Sequence, residues 1–347
     1  MLSNKLFFSK VAAGDVPVFC NNAKPWKNQY DINFTQSASI TSWAAATSLP
    51  GALQMSQAAI TKDYVYLISG NNGSATVATV YMAPINSDGT LGTWSTTTSV
   101  PVAKRYAQVV VTDGYIYLIG GRNSSNTTTS TVHVAPVNGD GTLGTWTSAN
   151  SLNTAMGISQ AIITTDRIYL LGGHTGSSAS AVVQTATITA GAIGTWSTTT
   201  SMPGPLYASQ AITTKNRVYM LGGNGGSGIV DTTYTAPIVA GIIGTWTTGN
   251  TLDYAAAYAQ VFSTHDTVYL LGASVLSHYV QIATIDEDGL IGTWAQDVPN
   301  DIYDDAAYSQ VVATKDHLHL LGGNDGSATA VVQVATISGS FNDYTCV

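Results

Sequence analysis

Charge is scarce in this sequence. Only 9% of its residues are charged, against about 25% in a typical soluble protein. The 12 basic residues are scattered singly among 20 acidic ones, for a net charge of −8. That distribution excludes the basic stripe a nucleic-acid binder needs. It also makes an anionic membrane surface a poor partner. No apolar run approaches the roughly 18–20 residues that cross a bilayer, so membrane insertion is not expected. The opening apolar stretch is short and interrupted by Lys10, so no cleaved signal peptide is expected.

Other residue types are nearly absent. Glutamate occurs once, at Glu287, and arginine four times, at Arg105, Arg122, Arg167 and Arg217. A Glu pair for retaining glycoside hydrolysis is therefore excluded. Cys20 and Cys346 are the only cysteines, and they lack metal-ligand spacing. In an oxidising setting they are a candidate disulfide, within or between chains; the alternative is two free thiols. No stretch carries a 3.6-residue apolar period long enough for a helix. Hydrophobic residues nonetheless make up 44% of the chain, which separates it from disordered sequences. Its polar surface must be built from Thr, Ser, Asn and Gly.

What is present is a repeat. Gly-Thr-Trp recurs at Trp94, Trp146, Trp196, Trp246 and Trp294, with a looser copy at Trp43. Successive spacings are 51, 52, 50, 50 and 48 residues. A second series runs Gln57, Gln108, Gln160, Gln210, Gln260 and Gln310, each 14 residues after a Trp except the last, which is 16. A third series, Ser69-Gly70, Gly120-Gly121, Gly172-Gly173, Gly222-Gly223, Gly272-Ala273 and Gly322-Gly323, closes a β-rich run. Within residues 206–250 this predicts four strands. The first leads through Gln210 to Thr214, and the second is Arg217 to Leu221. The third is Thr232 to Val239, and the fourth is Ile243 to Thr247. Four strands per unit is one propeller blade, and six units near 50 residues match the kelch period.

The expected fold is therefore all-β: a six-bladed β-propeller with four-stranded blades. The last unit reaches Phe341 where a Trp is due, and the chain starts with an orphan Trp strand. An N-terminal strand around Trp43 is thus expected to close the last blade beside residues 331–337, with Phe341 as its competitor. The expected organisation is an N-terminal extension (1–36), the propeller (37–340) and a short tail (341–347).

The Gly pairs and spaced Trp resemble the kelch repeat family, which includes galactose-oxidase-like propellers. The resemblance covers residues 37–340. It departs in the Tyr that kelch repeats place between the Gly pair and the Trp, present here only irregularly, as at Tyr81, Tyr234 and Tyr279. The near-identical Gly-Thr-Trp units are also similar to kelch-like propellers of large tailed bacteriophages. That likeness implies a virion setting.

Propeller geometry sorts the loops onto two faces. The upper face gathers the Asn- and Ser-rich loops after the Gly pairs, and the between-blade loops with Tyr106, Tyr207, Tyr258 and Tyr308. Aromatic faces ringed by amides and hydroxyls suit sugar binding; the competing reading packs these Tyr against the next blade. The six Gln lie beside the central axis and are expected to satisfy backbone groups between blades. The loop 295–309 is longer than its siblings and holds Asp297, Asp301, Asp304 and Asp305 with Tyr303 and Tyr308. Carboxylates are hard ligands of the kind that hold Ca²⁺, but the spacing fits no EF-hand, and a solvated acidic loop is expected instead. Tyr303, Asp301, Asp304 and Asp305 join the four Tyr as candidate ligand-binding residues. The lower face carries turns at Asp88-Gly89, Asp140-Gly141 and Asp288-Gly289. They resemble the Asp-box turn of sialidases, a structural feature.

No catalytic set emerges. Arg167 and Arg217 fall on lower-face turns and cannot join Arg105 and Arg122 at the axis, so a sialidase-like arginine trio is not expected. His317 and His319 replace Tyr or Leu of other second strands and are expected to serve the sheet. No nucleophile elbow frames any Ser. No metal or cofactor is expected. The reading is a non-enzymatic, surface-displayed propeller, on a virion surface or otherwise extracellular. Other virion proteins would be held by the N-terminal arm, and host glycans are candidate ligands of the upper face. The alternatives are a glycan-active hydrolase or lyase on that face and an intracellular kelch-like scaffold.

Overall fold

The computed structural model describes residues 31–32, 39–40, 43–264, 266–272, 279–297 and 307–338. They form six antiparallel blades. Blade one comprises Gln57–Ile60, Tyr64–Asn71, Thr76–Pro84 and Ser95–Thr97. Blade two comprises Gln108–Thr112, Tyr115–Ile119, Val132–Pro136 and Thr147–Ala149. Blade three comprises Gln160–Ile163, Arg167–His174, Ala179–Thr189 and Ser197–Thr199. Blade four comprises Gln210–Thr214, Arg217–Leu221, Thr233–Val239 and Thr247–Thr248. Blade five comprises Gln260–Thr264, Thr267–Leu271, Val280–Thr284 and Ala295–Gln296. Blade six takes Gln310–Thr314, His317–Leu321 and Val332–Ser338 from the end of the chain.

The fourth strand of blade six comes from the other end. Ala44–Ala45 pairs with Val334 and Gln333, and Ser39–Ile40 pairs with Ser338 and Ile337. The expected closure is therefore the observed one. It joins the two ends of the chain in one sheet and covers an edge that would otherwise stay open. Phe341, the competitor for this place, lies outside the described residues. Asp31–Ile32, within the expected extension, pairs in parallel with Ser263 and Thr264 on the inner strand of blade five.

The core sits between blades. Six buried clusters each join two neighbouring blades, and each contains one repeat Trp: Trp43, Trp94, Trp146, Trp196, Trp246 or Trp294. Because each blade is covered on both faces, its second strand reads as a nearly continuous apolar run instead of alternating. Val65, Tyr66, Leu67 and Ile68 are all essentially inaccessible.

The fourth strand departs from the simple reading. A single strand over 243–247 was expected, but the chain pairs only as Ile242–Ile243 and then Thr247–Thr248. Ile243 faces Ile238 and Thr247 faces Thr235, so four steps along one strand match three along the other. Such an extra residue is a β-bulge, which bends the strand and re-aims a side chain. Here the bulge is the Gly-Thr-Trp segment itself, which sends its Trp into the inter-blade core. Its glycine is required by contact: a Cβ on Gly92 would lie 2.7 Å from Pro84 Cγ.

Two further devices lock neighbouring blades. In the Gly pairs, both residues have positive φ, for example +62° at Gly120 and +84° at Gly121. A Cβ on Gly120 would lie 2.3 Å from the Met156 carbonyl of the next between-blade loop. Blade one carries Ser69 at this place, and its hydroxyl donates instead to the Lys104 carbonyl at 2.6 Å. On the lower face, a second-strand Tyr donates to the turn glycine of the following blade. Tyr66 reaches Gly141 O at 2.6 Å, Tyr117 reaches Gly191 O at 2.9 Å, Tyr169 reaches Gly241 O at 3.0 Å and Tyr219 reaches Gly289 O at 3.2 Å. In blade six His319 takes the Tyr position, with Nε2 3.1 Å from Gly89 O.

Candidate functional site

The upper mouth of the central channel is built from backbone. Met55, Tyr106, Ile158, Ala208, Tyr258 and Tyr308 each stand two residues before a repeat Gln, and all have φ between 55° and 61°. Left-handed backbone disfavours side chains other than glycine by roughly 1–2 kcal/mol per residue. What holds them there is a closed ring of main-chain hydrogen bonds. Tyr106 N–H donates to Met55 O at 3.0 Å, Ile158 to Tyr106 at 3.0 Å, Ala208 to Ile158 at 3.1 Å and Tyr258 to Ala208 at 2.8 Å. Tyr308 donates to Tyr258 at 3.5 Å, and Met55 to Tyr308 at 3.2 Å, which completes the circle. Strained residues held this way concentrate at binding sites.

The ring brings three of the expected Tyr together. The centroids of Tyr258 and Tyr308 are 4.4 Å apart, those of Tyr106 and Tyr258 6.0 Å, and those of Tyr106 and Tyr308 6.3 Å. All three are half-buried. Burial, reinforced by neighbouring phenols, pushes the hydroxyls of Tyr106, Tyr258 and Tyr308 up from their ordinary pKa. They are therefore neutral hydrogen-bonding groups at physiological pH. Tyr207 stands apart from this trio. Its ring meets that of His174 edge-on, at 5.2 Å and 86°. Tyr106, Tyr207 and Tyr258 also pack on a small apolar cluster of Ile158, Ala208 and Ala257.

Below the Tyr trio lies a cavity of about 120 Å³ lined by all six repeat Gln. That is room for several waters. Three of the Gln side chains bridge blades in the same way. Gln108 Oε1 accepts from Ala161 N–H at 3.1 Å, Gln260 Oε1 from Val311 N–H at 3.3 Å, and Gln310 Oε1 from Ala58 N–H at 3.2 Å. The Nε2 groups of the same three donate to the carbonyl of the preceding residue.

Around the mouth, the loops after the second strands are held by side chains folding back on backbone. Asn71 Oδ1 accepts from Gly73 N–H, Asn224 Oδ1 from Gly226 N–H and Asn324 Oδ1 from Gly326 N–H, at 2.8, 2.8 and 2.9 Å. Arg105 and Arg122 belong to this face, on a short extra ladder in which Lys104–Arg105 pairs with Arg122–Asn123. The same positions are bridged in blades one, three and four, as Gln54 with Asn71, Gly157 with His174 and Tyr207 with Asn224, so the ladder is the blade-two form of a pairing that the repeat carries outside its four strands. Arg167 and Arg217 open the second strands of blades three and four at the lower turns. Glu287 is on the lower face too, in the exposed turn before Gly289. Tyr303, Asp301, Asp304 and Asp305 lie outside the described residues, as do Cys20 and Cys346.

Comparison with known proteins agrees with this architecture. The kelch motif matches residues 103–134, which span most of blade two. No curated protein matches the chain. Among solved structures, that of YjhT superposes with a TM-score of 0.67 at 14% identity, covering 84% of this chain and 99% of that one. At that identity the likeness is one of fold. The chain is thus a six-bladed β-propeller that carries a kelch motif, a fold suited to binding or protein interaction.

Proposed function

We propose that this protein is a non-enzymatic, surface-displayed binding propeller whose upper mouth takes a glycan, as a structural or adhesion component of a virion. The observation that carries the glycan reading is the convergence of Tyr106, Tyr258 and Tyr308 on one mouth, with ring centroids 4.4–6.3 Å apart. Such a platform presents apolar faces to sugar C–H groups, while amides and hydroxyls of the surrounding loops serve the sugar hydroxyls. Two observations favour binding over hydrolysis. The phenols are shifted away from the nucleophilic anion, and the sole Glu lies on the opposite face. The virion setting is supported by the likeness of the Gly-Thr-Trp units to phage propellers, with the N-terminal extension, residues 1–36, as the anchoring arm.

The test is a glycan array probed with the full chain, with bound and released sugar both recorded. Binding without cleavage, lost at least tenfold in Tyr258→Ala and Tyr308→Ala while melting is retained, is expected. Released sugar would overturn the non-enzymatic reading. Failure to detect the protein in purified virus particles from the source culture would overturn the virion setting.

A further inference from the structure

The upper face also holds two unneutralised positive charges. The antiparallel register sets Arg105 directly opposite Arg122, an arrangement that destabilises a ladder when the charges are alike. Both guanidinium groups turn to one amide. Arg105 Nη2 donates to Asn126 Oδ1 at 2.8 Å, and Arg122 Nη1 approaches the same oxygen at 3.4 Å. Their other partners are neutral as well: Thr76 Oγ1 at 3.0 Å from Arg105 Nη1, and His174 Nδ1 at 2.9 Å from Arg122 Nη2. Among the described residues neither arginine meets a carboxylate, in a chain of net charge −8. Arg122 Nε is buried and has no partner among the described residues. A buried donor without an acceptor is costly and rare in native structures.

His174 extends the set. Its Nδ1 accepts from both Gly176 N–H, at 2.9 Å, and Arg122, so Nδ1 carries no proton and Nε2 does. Burial and the Arg122 charge hold this imidazole below its ordinary pKa. It therefore stays neutral and offers one N–H. The set adjoins the Tyr mouth: Arg105 directly precedes Tyr106, and His174 meets Tyr207, which packs on the same cluster of Ile158, Ala208 and Ala257 as Tyr106 and Tyr258.

We propose that Arg105, Arg122 and the Nε2–H of His174 form a recognition site for one acidic group, a carboxylate or a sulfate, on the glycan that the Tyr mouth binds. The inference rests on the glycan reading of that mouth. Guanidinium donors match the planar oxygens of a carboxylate and the oxygens of a sulfate, and charge-assisted bonds of this type are about twice as strong as neutral ones. An incoming anion would relieve the repulsion between the two arginines and supply the negative charge that the surrounding neutral acceptors lack.

The experiment uses the full chain on an array of acidic glycans, each printed beside its carboxyl-methylated or desulfated counterpart, at low and physiological salt. The expected hits are acidic, weaken at least tenfold on neutralisation, and weaken with salt. Loss on methylation identifies a carboxylate, and loss on desulfation a sulfate. Arg105→Gln and Arg122→Gln are each expected to reduce binding at least tenfold. Arg122→Lys, which keeps the charge but not the fork, is expected to do so too. Hits that survive both neutralisation and Arg105→Gln, yet vanish in Tyr258→Ala, would overturn the acidic site and leave the Tyr mouth standing. No hits of any class would overturn both. Should Arg122→Gln melt early, the Arg105→Gln variant, whose guanidinium has no buried unpartnered donor among the described residues, and the chemical neutralisation decide the matter alone.

Discussion

Acidification is expected to loosen the seam between blades six and one through a single side chain. His319 is 1% exposed. Its Nε2 lies 3.1 Å from Gly89 O and 2.9 Å from Thr314 Oγ1, while Thr314 Oγ1 itself donates to Gly89 O. Nε2 must therefore carry the proton. Nδ1 is buried and has no partner among the described residues, so a second proton would sit where none of them accepts it. Burial accordingly pulls the imidazole from its ordinary 6.5 down to about 4, with the Gly89 bond opposing and His317 adding to the shift. Between those two values the unfolded chain binds a proton that the native chain refuses. The contribution to stability is thus full above pH 6.5 and lost as pH falls toward 4. From pH 7.5 to pH 5 the loss works out at about 2 kcal/mol, or roughly 3 °C in Tm for a chain of this size. His319→Tyr restores the residue found at Tyr66, Tyr117, Tyr169 and Tyr219, whose hydroxyls make the equivalent bond. Urea denaturation of both proteins across this pH range isolates His319 together with its coupling to His317, because the titratable groups away from this pair remain in each and cancel in the difference. Parallel pH profiles for the two proteins would refute the reasoning.

Two further stability predictions concern close backbone approach and an inter-blade hydroxyl, with a third substitution as the control. Gly121→Ala places a Cβ 2.8 Å from Ala107 Cα at a φ of +84°, and a loss of about 2–4 kcal/mol is expected in denaturant titration. Gly139→Ala, with nothing within 4 Å of the new atom, is expected to stay within about 0.5 kcal/mol of the parent. Tyr219→Phe removes the hydroxyl that donates to Gly289 O and accepts from Ile291 N–H, both at 3.2 Å. A loss of about 1–2 kcal/mol is expected in the same assay.

The blades were legible because each repeats the same physical requirement. A Trp must fill each inter-blade core, and glycines must stand where the next blade approaches the backbone, so both recur near every 50 residues. Closure at Trp43 was legible for the same reason, since one unit lacked its Trp and one Trp lacked its unit. What escaped the sequence is whatever a repeat does not encode. The bulge at Gly-Thr-Trp changes pairing without changing composition. The left-handed ring is a backbone property shared by Met55, Ile158, Ala208 and three Tyr, which have no chemistry in common. The contact of Arg122 with His174 joins residues 52 apart in different blades. It depends on a pairing that recurs as Gln54 with Asn71, Gly157 with His174 and Tyr207 with Asn224, but that sets two arginines face to face in blade two alone among these blades. The four Tyr near the Gln positions could be listed from sequence, but which three converge could not. Tyr207 stands one residue earlier than the others relative to its Gln, and that offset turns it toward His174.

The closed ring of main-chain bonds has a consequence for how this protein diversifies. Its six members are held by peptide groups that every residue except proline possesses, so the geometry of the mouth does not depend on which side chains stand there. Met, Tyr, Ile and Ala already occupy equivalent places. Descendants of this chain are therefore free to rewrite the mouth position by position, exchanging one recognition surface for another, while the six blades stay in register beneath it.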